Sequence, residues 1–440
     1  MFIERSASRI RLVRTVFVLF GLLPCLALGG WAILRHSRGH REALERQVER
    51  LVGLPLSCRS VEHVRPDAFR LRDCRLSAPA GGVLFEAPVI DVEMSPGEVR
   101  LSFARVDCTP ALVRGLRGLA ADWLEHPGRF PRDCVVDVAD FRWSGLPGPL
   151  PEAATGLRLE CVAANGSRAI RASRGAAGDG PLDEVRLRTV PDGEASGANR
   201  PLGTTRFELE GRVAEPMPAD IVEALLGTEP GGSPLGERAS ISGELGLAIE
   251  DGEFNGTARV RVEQVDLAAL SRHLPHRLVG EATVSHAELT CARGRITACN
   301  ARIDVSRGRV AQPLLDAAVS MLGCRPGPAF RSLTGEEARS FDDLAILLTF
   351  SGAGVEVCAD PTRAGGLARV QGLAIVEEPR VPVPLDRLAW FLAPPGARAL
   401  PAARATAWLL ERLSWDTAAA PEAARIPANQ AVRPTGRSEF

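Results

Sequence analysis

The sequence of 440 residues contains no tyrosine and no lysine, so all 53 of its basic residues are arginine. These absences exclude whole classes of chemistry. A P-loop lysine, a Schiff-base lysine, a Ser-x-x-Lys acylating site and tyrosine acid–base catalysis have no residue to carry them. No Cys-x-x-Cys occurs, which removes zinc-ribbon and thioredoxin-type motifs. Gly-x-Ser-x-Gly, Gly-x-Gly-x-x-Gly and His-Glu-x-x-His are missing as well. Charge of one sign is also missing: the net charge of −1 offers no global field for nucleic acid or acidic substrates. A hydrophobic fraction of 45% is that of a folded chain, not a disordered one.

One long apolar run is present, Thr15 to Leu34, without a charge. Arg5, Arg9, Arg11 and Arg14 precede it, and Arg35, Arg38 and Arg41 follow. At ~1.5 Å per residue it spans a ~30 Å hydrocarbon core. A cleaved signal peptide is the competing reading, with Ala27-Leu28-Gly29 as a small-x-small site. The run outlasts the usual h-region and continues through Trp31, which favours a retained anchor.

Behind the anchor, Leu44, Val48 and Leu51 recur at helical spacing, and Gly53 and Pro55 end that pattern. From there the dominant period is two. Val99, Leu101 and Phe103 alternate with Arg100, Ser102 and Ala104. Ile241, Gly243, Leu245, Leu247 and Ile249 alternate with small or polar residues, and Val260 and Val262 with arginines. Such alternation makes strands with one apolar and one wet face. Turn signals recur at Arg65-Pro66-Asp67, Ala80-Gly81-Gly82, Glu250-Asp251-Gly252, Arg293-Gly294 and Ser351-Gly352-Ala353-Gly354. Short helices are predicted at Pro110–His126, Pro218–Leu226, Asp266–His273, Gln312–Leu322, Leu385–Leu392 and Ala402–Trp415.

The expected fold is mainly β: a transmembrane helix, an elongated antiparallel open sheet with short helices, and a helical C-terminal end. The expected organisation is a short cytoplasmic segment (1–14), the anchor (15–34), a juxtamembrane helix (35–53) and a first β region (54–173). A loop-rich insertion (174–204), holding a strand at Glu184–Thr189, leads to a second β region (205–380). C-terminal helices (381–416) and a disordered tail (417–440) complete it.

Two cysteine pairs straddle turns. Cys58 and Cys74 flank Arg65-Pro66-Asp67, and Cys291 and Cys299 flank Arg293-Gly294. Each pair is open to two readings, a cross-strand disulfide or two small buried hydrophobes. His273-Leu274-Pro275-His276 has loose metal-ligand spacing, but Pro275 and the lack of a partnering glutamate make solvated loop histidines the better reading. Ser285 and His286 are strand neighbours on opposite faces, and the pairs Asp342-Asp343 and Glu377-Glu378 read as solvated or capping carboxylates. No catalytic residue, metal ligand or cofactor site is expected.

The run of residues from the anchor onward resembles the AsmA-like family of inner-membrane-anchored bacterial envelope proteins, which includes TamB-like members. The residues that carry the resemblance are the span, Ala43–Gly53 and Leu54-Pro55-Leu56, then Val61-Glu62-His63-Val64-Arg65-Pro66. Phe69-Arg70-Leu71-Arg72-Asp73, Leu76-Ser77 and Leu84-Phe85-Glu86-Ala87-Pro88 follow, with a second matching stretch at Gly256–Leu322. The resemblance implies a periplasmic sheet whose concave apolar face takes phospholipid acyl chains during envelope and outer-membrane biogenesis, with membrane lipid and envelope proteins as partners. Its candidate groove residues are Val99, Leu101, Phe103, Leu245, Leu247, Ile249, Val260 and Val262, for each of which plain core packing is the alternative. A non-transporting scaffold with a packed interior fits the same anchor and sheet.

Overall fold

The computed structural model describes residues 7–35, 37–77, 82–126, 132–143, 155–164, 167–175, 183–190, 206–226, 235–250, 253–273, 277–331, 338–351, 354–362, 366–393 and 413. The chain is mainly β, and every described ladder between strands is antiparallel. It divides into two compact units, Met1–Arg142 with Ala153–Ala163, and Trp143–Glu152 with Ala164–Phe440. That division falls upstream of the loop-rich stretch at 174–204 where the composition shift predicts it.

Unit 1 begins with helices α1 (Ala7–Phe17) and α2 (Leu23–Arg35), joined by a π-helical turn at Val18–Leu22. Pro24 brings no N–H to the ladder, and the Leu23 N–H reaches back to Val18 O, five residues away. The 22 residues Arg14–Arg35 form a helix long and apolar enough to cross a membrane, with mean hydropathy 2.2 and no part buried in the protein. At its end the Arg35 guanidinium lies 4.1 Å from the centroid of the Trp31 ring, an aromatic–cation pair suited to an interface.

Helix α3 (Arg38–Val52) follows at once. Ser37 caps its start by accepting from the His40 N–H, and Gly53 ends it in the left-handed region at φ 79. Its Leu44 and Val48 are buried. The strands are β1 (Leu56–Ser57), β2 (Ser60–Arg65), β3 (Ala68–Ser77), β4 (Val83–Met94), β5 (Glu98–Cys108), β6 (Asp133–Trp143) and β7 (Thr155–Ala164). β1 and β2 share one side of β3, β4 takes the other and β5 follows; β7 pairs with β6. Helix α4 (Pro110–Glu125) is capped by Thr109 Oγ1 and buries Leu112, Val113, Trp123 and Leu124.

Unit 2 is a meander. Its first strands are β8 (Ser167–Arg174), β9 (Asp183–Val190), β10 (Arg206–Pro218), β11 (Ser240–Glu250), β12 (Glu253–Asp266), β13 (Leu278–Ala292) and β14 (Arg295–Ala311). Each pairs with the next. The later strands are β15 (Arg325–Pro326), β16 (Ala338–Phe341), β17 (Asp343–Ser351), β18 (Gly354–Ala359), β19 (Ala368–Val370) and β20 (Leu373–Glu377). β17 and β18 continue the meander from β14, while β16 takes the last residues of β14 and β15, β19 and β20 form a short side ladder. Helices α5 (Ala219–Leu226), α6 (Leu267–Leu270), α7 (Gln312–Leu322) and α8 (Leu385–Phe391) interrupt it, close to where sequence periodicity predicts them. The predicted helix at Ala402–Trp415 lies outside the described residues except for Leu413, which makes an isolated bridge to Ile296. The predicted tail lies wholly outside them.

Candidate functional site

Directly paired residues in a ladder point to the same face, so register decides what the unit 2 sheet displays. One row runs Ala172, Val185, Gly211, Leu245, Ala258, Leu289, Cys299, Phe350 and Val355, crossing nine strands without a charge. Two residues along, a second row runs Ile170, Leu187, Leu209, Leu247, Gly256, Cys291 and Ile296. On the other side lie Val213, Gly243 and Val260, then Met217, Ile241, Val262, Val284, Ile303, Ile346 and Ala359. These rows make one continuous apolar face.

The opposite face is charged in alternation. The row Glu184, Arg212, Glu244, Arg259 and Glu288 carries ion pairs at 3.6 Å (Arg212–Glu244) and 3.0 Å (Arg259–Glu288). Each exposed pair contributes well under ~1 kcal/mol, but together they set which face meets water. Arg171–Glu184 at 2.7 Å and Arg188–Glu208 at 2.5 Å extend the pattern.

The apolar face is closed at one end and less covered at the other. Phe350 and Val355 are buried with Leu385 and Ala389 of α8 and with Leu413, and Ile296 and Cys299 border that cluster. The row through Val262, Val284, Ile303 and Ile346 borders a core that contains Leu314 and Leu315 of α7. Over β9 to β12, Leu187, Leu209, Leu245, Leu247, Ile249 and Val260 are only half-buried.

The groove residues expected from sequence therefore fall into two groups. Leu245, Leu247, Ile249, Val260 and Val262 share the unit 2 face. Val99, Leu101 and Phe103 belong to unit 1 and are core residues, 2%, 4% and 8% exposed. Leu101 and Phe103 line a cavity with Val48 of α3, Leu54, Leu56, Leu71, Leu76 and Ile90; its volume of 10 Å³ holds about one water and no acyl chain. Leu187, Leu209 and Leu289 complete the unit 2 face and were not among the expected residues. For Leu209 the alternation Phe207, Leu209, Gly211, Val213 carries the signal, blurred by a glycine in an apolar place.

Among the described residues no sulfur is bonded to another. Ser57 pairs with Arg75, which brings Cys58 and Cys74 to neighbouring positions across β1 and β3, both buried. The second expected pair is displaced: Cys291 opposes Ile296 and Cys299 opposes Leu289, since Cys299 lies three residues farther from the Arg293-Gly294 turn than Cys291 does. The two are diagonal neighbours at ~7–8 Å between Cα atoms, outside the reach of an unstrained disulfide.

Burial, reinforced by the Glu45 carboxylate, pushes the Cys58 thiol up to about 12, and burial with Asp73 does the same for Cys74. A thiol raised above its ordinary 9.0 stays protonated in the folded chain while the unfolded chain ionises. Stability is therefore lost as pH rises above about 9. Urea unfolding should give a lower midpoint at about pH 10.5 than at about pH 8, and a Cys58→Ala, Cys74→Ala chain should lose much of that difference. An equal drop in both chains would show that other groups cause it.

The remaining candidates have structural roles. Among the described residues no group of three or more His, Cys, Asp or Glu is placed to hold a metal. His276 lies outside the described residues, and His273 ends the 3-10 turn after α6. His286 sits at φ 53 in a bulge between Ser285 and Glu288. Asp342 accepts from the N–H of Gln371, a turn residue at φ 50, and Glu378 accepts from the Ala359 N–H at 2.9 Å.

No family model, curated protein or solved structure matches this chain. Among the described residues the unit 2 sheet presents a broad apolar face backed by a zwitterionic one.

Proposed function

We propose that this chain is a membrane-anchored protein of AsmA-like type, held at a bacterial inner membrane with its bulk in the periplasm. In this reading the apolar face of unit 2 shields or transfers phospholipid acyl chains during envelope and outer-membrane biogenesis, without catalysis. The observation that supports it is the set of uninterrupted apolar rows, half-buried over β9 to β12. Over β9 to β12 the face spans ~14 Å across the strands at ~4.8 Å per strand, and the rows from Leu247 to Ile241 cover ~20 Å along them. An acyl chain occupies about 15 Å, half of a ~30 Å hydrocarbon core, so the face is large enough. Each methylene transferred from water gains ~0.8 kcal/mol, while a headgroup at the rim stays solvated.

A scaffold with a packed interior is the second reading, and the cover of α8 and Leu413 over Phe350 and Val355 supports it at that end of the sheet. Photo-crosslinking in cells separates the two. Probes replacing Leu247 and Val260 should give phospholipid adducts, and a probe at the buried Leu101 should give none. Adducts to protein alone at both unit 2 positions would overturn the lipid reading in favour of the scaffold.

A further inference from the structure

The β6–β7 ladder of unit 1 places Cys134 directly opposite Cys161. Directly opposed residues of an antiparallel pair have Cα atoms ~4.5 or ~5.5 Å apart, depending on whether they exchange hydrogen bonds. Both values fall inside the ~4.4–6.8 Å range of disulfides, so the backbone need not move to join them. The register is held beside the pair. Asp133 Oδ1 accepts from the Ala163 N–H at 2.9 Å, and the Asp133 N–H donates to Gly97 O at 3.0 Å. On the other side, Val135, Val136, Asp137 and Val138 continue the ladder without a shift. Cysteine thus faces cysteine within a paired register.

We propose that Cys134 and Cys161 form a cross-strand disulfide when the protein meets a dithiol–disulfide oxidant. One thiolate attacks a sulfur of the oxidant's disulfide and gives a mixed disulfide. The second thiolate then displaces the oxidant as a dithiol. The two protein sulfurs lose two electrons, the oxidant gains them, and the two thiol protons end on the oxidant's sulfurs. Burial, with Glu98 nearby, pushes the Cys134 thiol up to about 11, so the reaction is slow at neutral pH and quickens as pH rises. The inference is independent of any lipid role.

The test uses the full chain in detergent, reduced and then exposed to oxidised glutathione, blocked with iodoacetamide and cut at arginine without reduction. The expected product is a single species joining peptides 133–142 and 159–168, lighter by two hydrogens than their sum, with most of the separate peptide signal gone. Cys134→Ser should abolish it and leave Cys161 carrying glutathione or the alkyl group. Recovery of both peptides singly blocked, or of either cysteine joined to a different one, would overturn the proposal.

Discussion

Replacing Gly308 with alanine should lower the stability of unit 2 by about 3 kcal/mol or more, read as a fall in the urea midpoint. Gly308 lies on β14 with Gly280 of β13 on one side and Phe341 of β16 on the other. A Cβ there would overlap the Val279 carbonyl and the Phe341 ring. Neither yields easily. The carbonyl belongs to the β13 backbone, and Phe341, 2% exposed, is packed in the core with Val305, Leu314 and Ile375. Gly246 on β11 is the comparison: a Cβ added there meets nothing within 4 Å, so alanine should leave the midpoint unchanged or raise it slightly. Phe341→Leu should recover part of the loss in the Gly308→Ala chain, since the two sites couple through one contact. Equal midpoints for the two alanine variants would refute the account.

Asp183→Ala should cost a similar amount, about 3–5 kcal/mol, for an electrostatic reason. Asp183 and Arg174 are opposed residues of β8 and β9, 8% and 7% exposed, joined at 2.6 Å. Asp183 Oδ1 also accepts from the Ala214 and Glu215 N–H groups of β10, at 2.6 and 3.2 Å. Arg174 reaches Glu215 at 2.6 Å and lies 5.9 Å from the centre of the Trp143 ring. Removing the carboxylate leaves the buried guanidinium with Glu215 as its remaining carboxylate partner and strands two backbone donors. Asp183→Asn retains an acceptor and should cost less. Adding Arg174→Met to Asp183→Ala should recover part of the stability, because the under-compensated buried charge goes with it while the two backbone donors still lack an acceptor. If the double variant is no more stable than Asp183→Ala alone, the loss comes from packing and not from charge.

The helices were legible because their boundaries are written locally. Ser37 and Gly53 bracket α3, Thr109-Pro110 opens α4, and Pro313 with Gly323 frames α7. The long strands were legible where alternation is clean, as in β5, β11 and β12. Short strands such as β15 and β19 exist only through their partners, and no local pattern marks them. Register was the harder quantity. Cys291 and Cys299 straddle Arg293-Gly294, yet Cys299 lies three residues farther from the turn, so each opposes another residue. Cys134 and Cys161 meet across a connection whose length gives no hint of it. Period two also reveals that an apolar face exists without revealing what covers it. Leu101 and Leu247 carry the same pattern, yet Leu101 is buried beside Val48 of α3 and Leu247 is half-buried.

The join between α2 and α3 has its own consequence. Arg35 ends one helix and Arg38 begins the next, so the intervening step reaches no more than ~10 Å even fully extended. Leu44 and Val48, a turn or two farther on, are already fixed in the core. With α2 as the span proposed above, unit 1 has no leash to swing on and is held within a few residues of the bilayer surface.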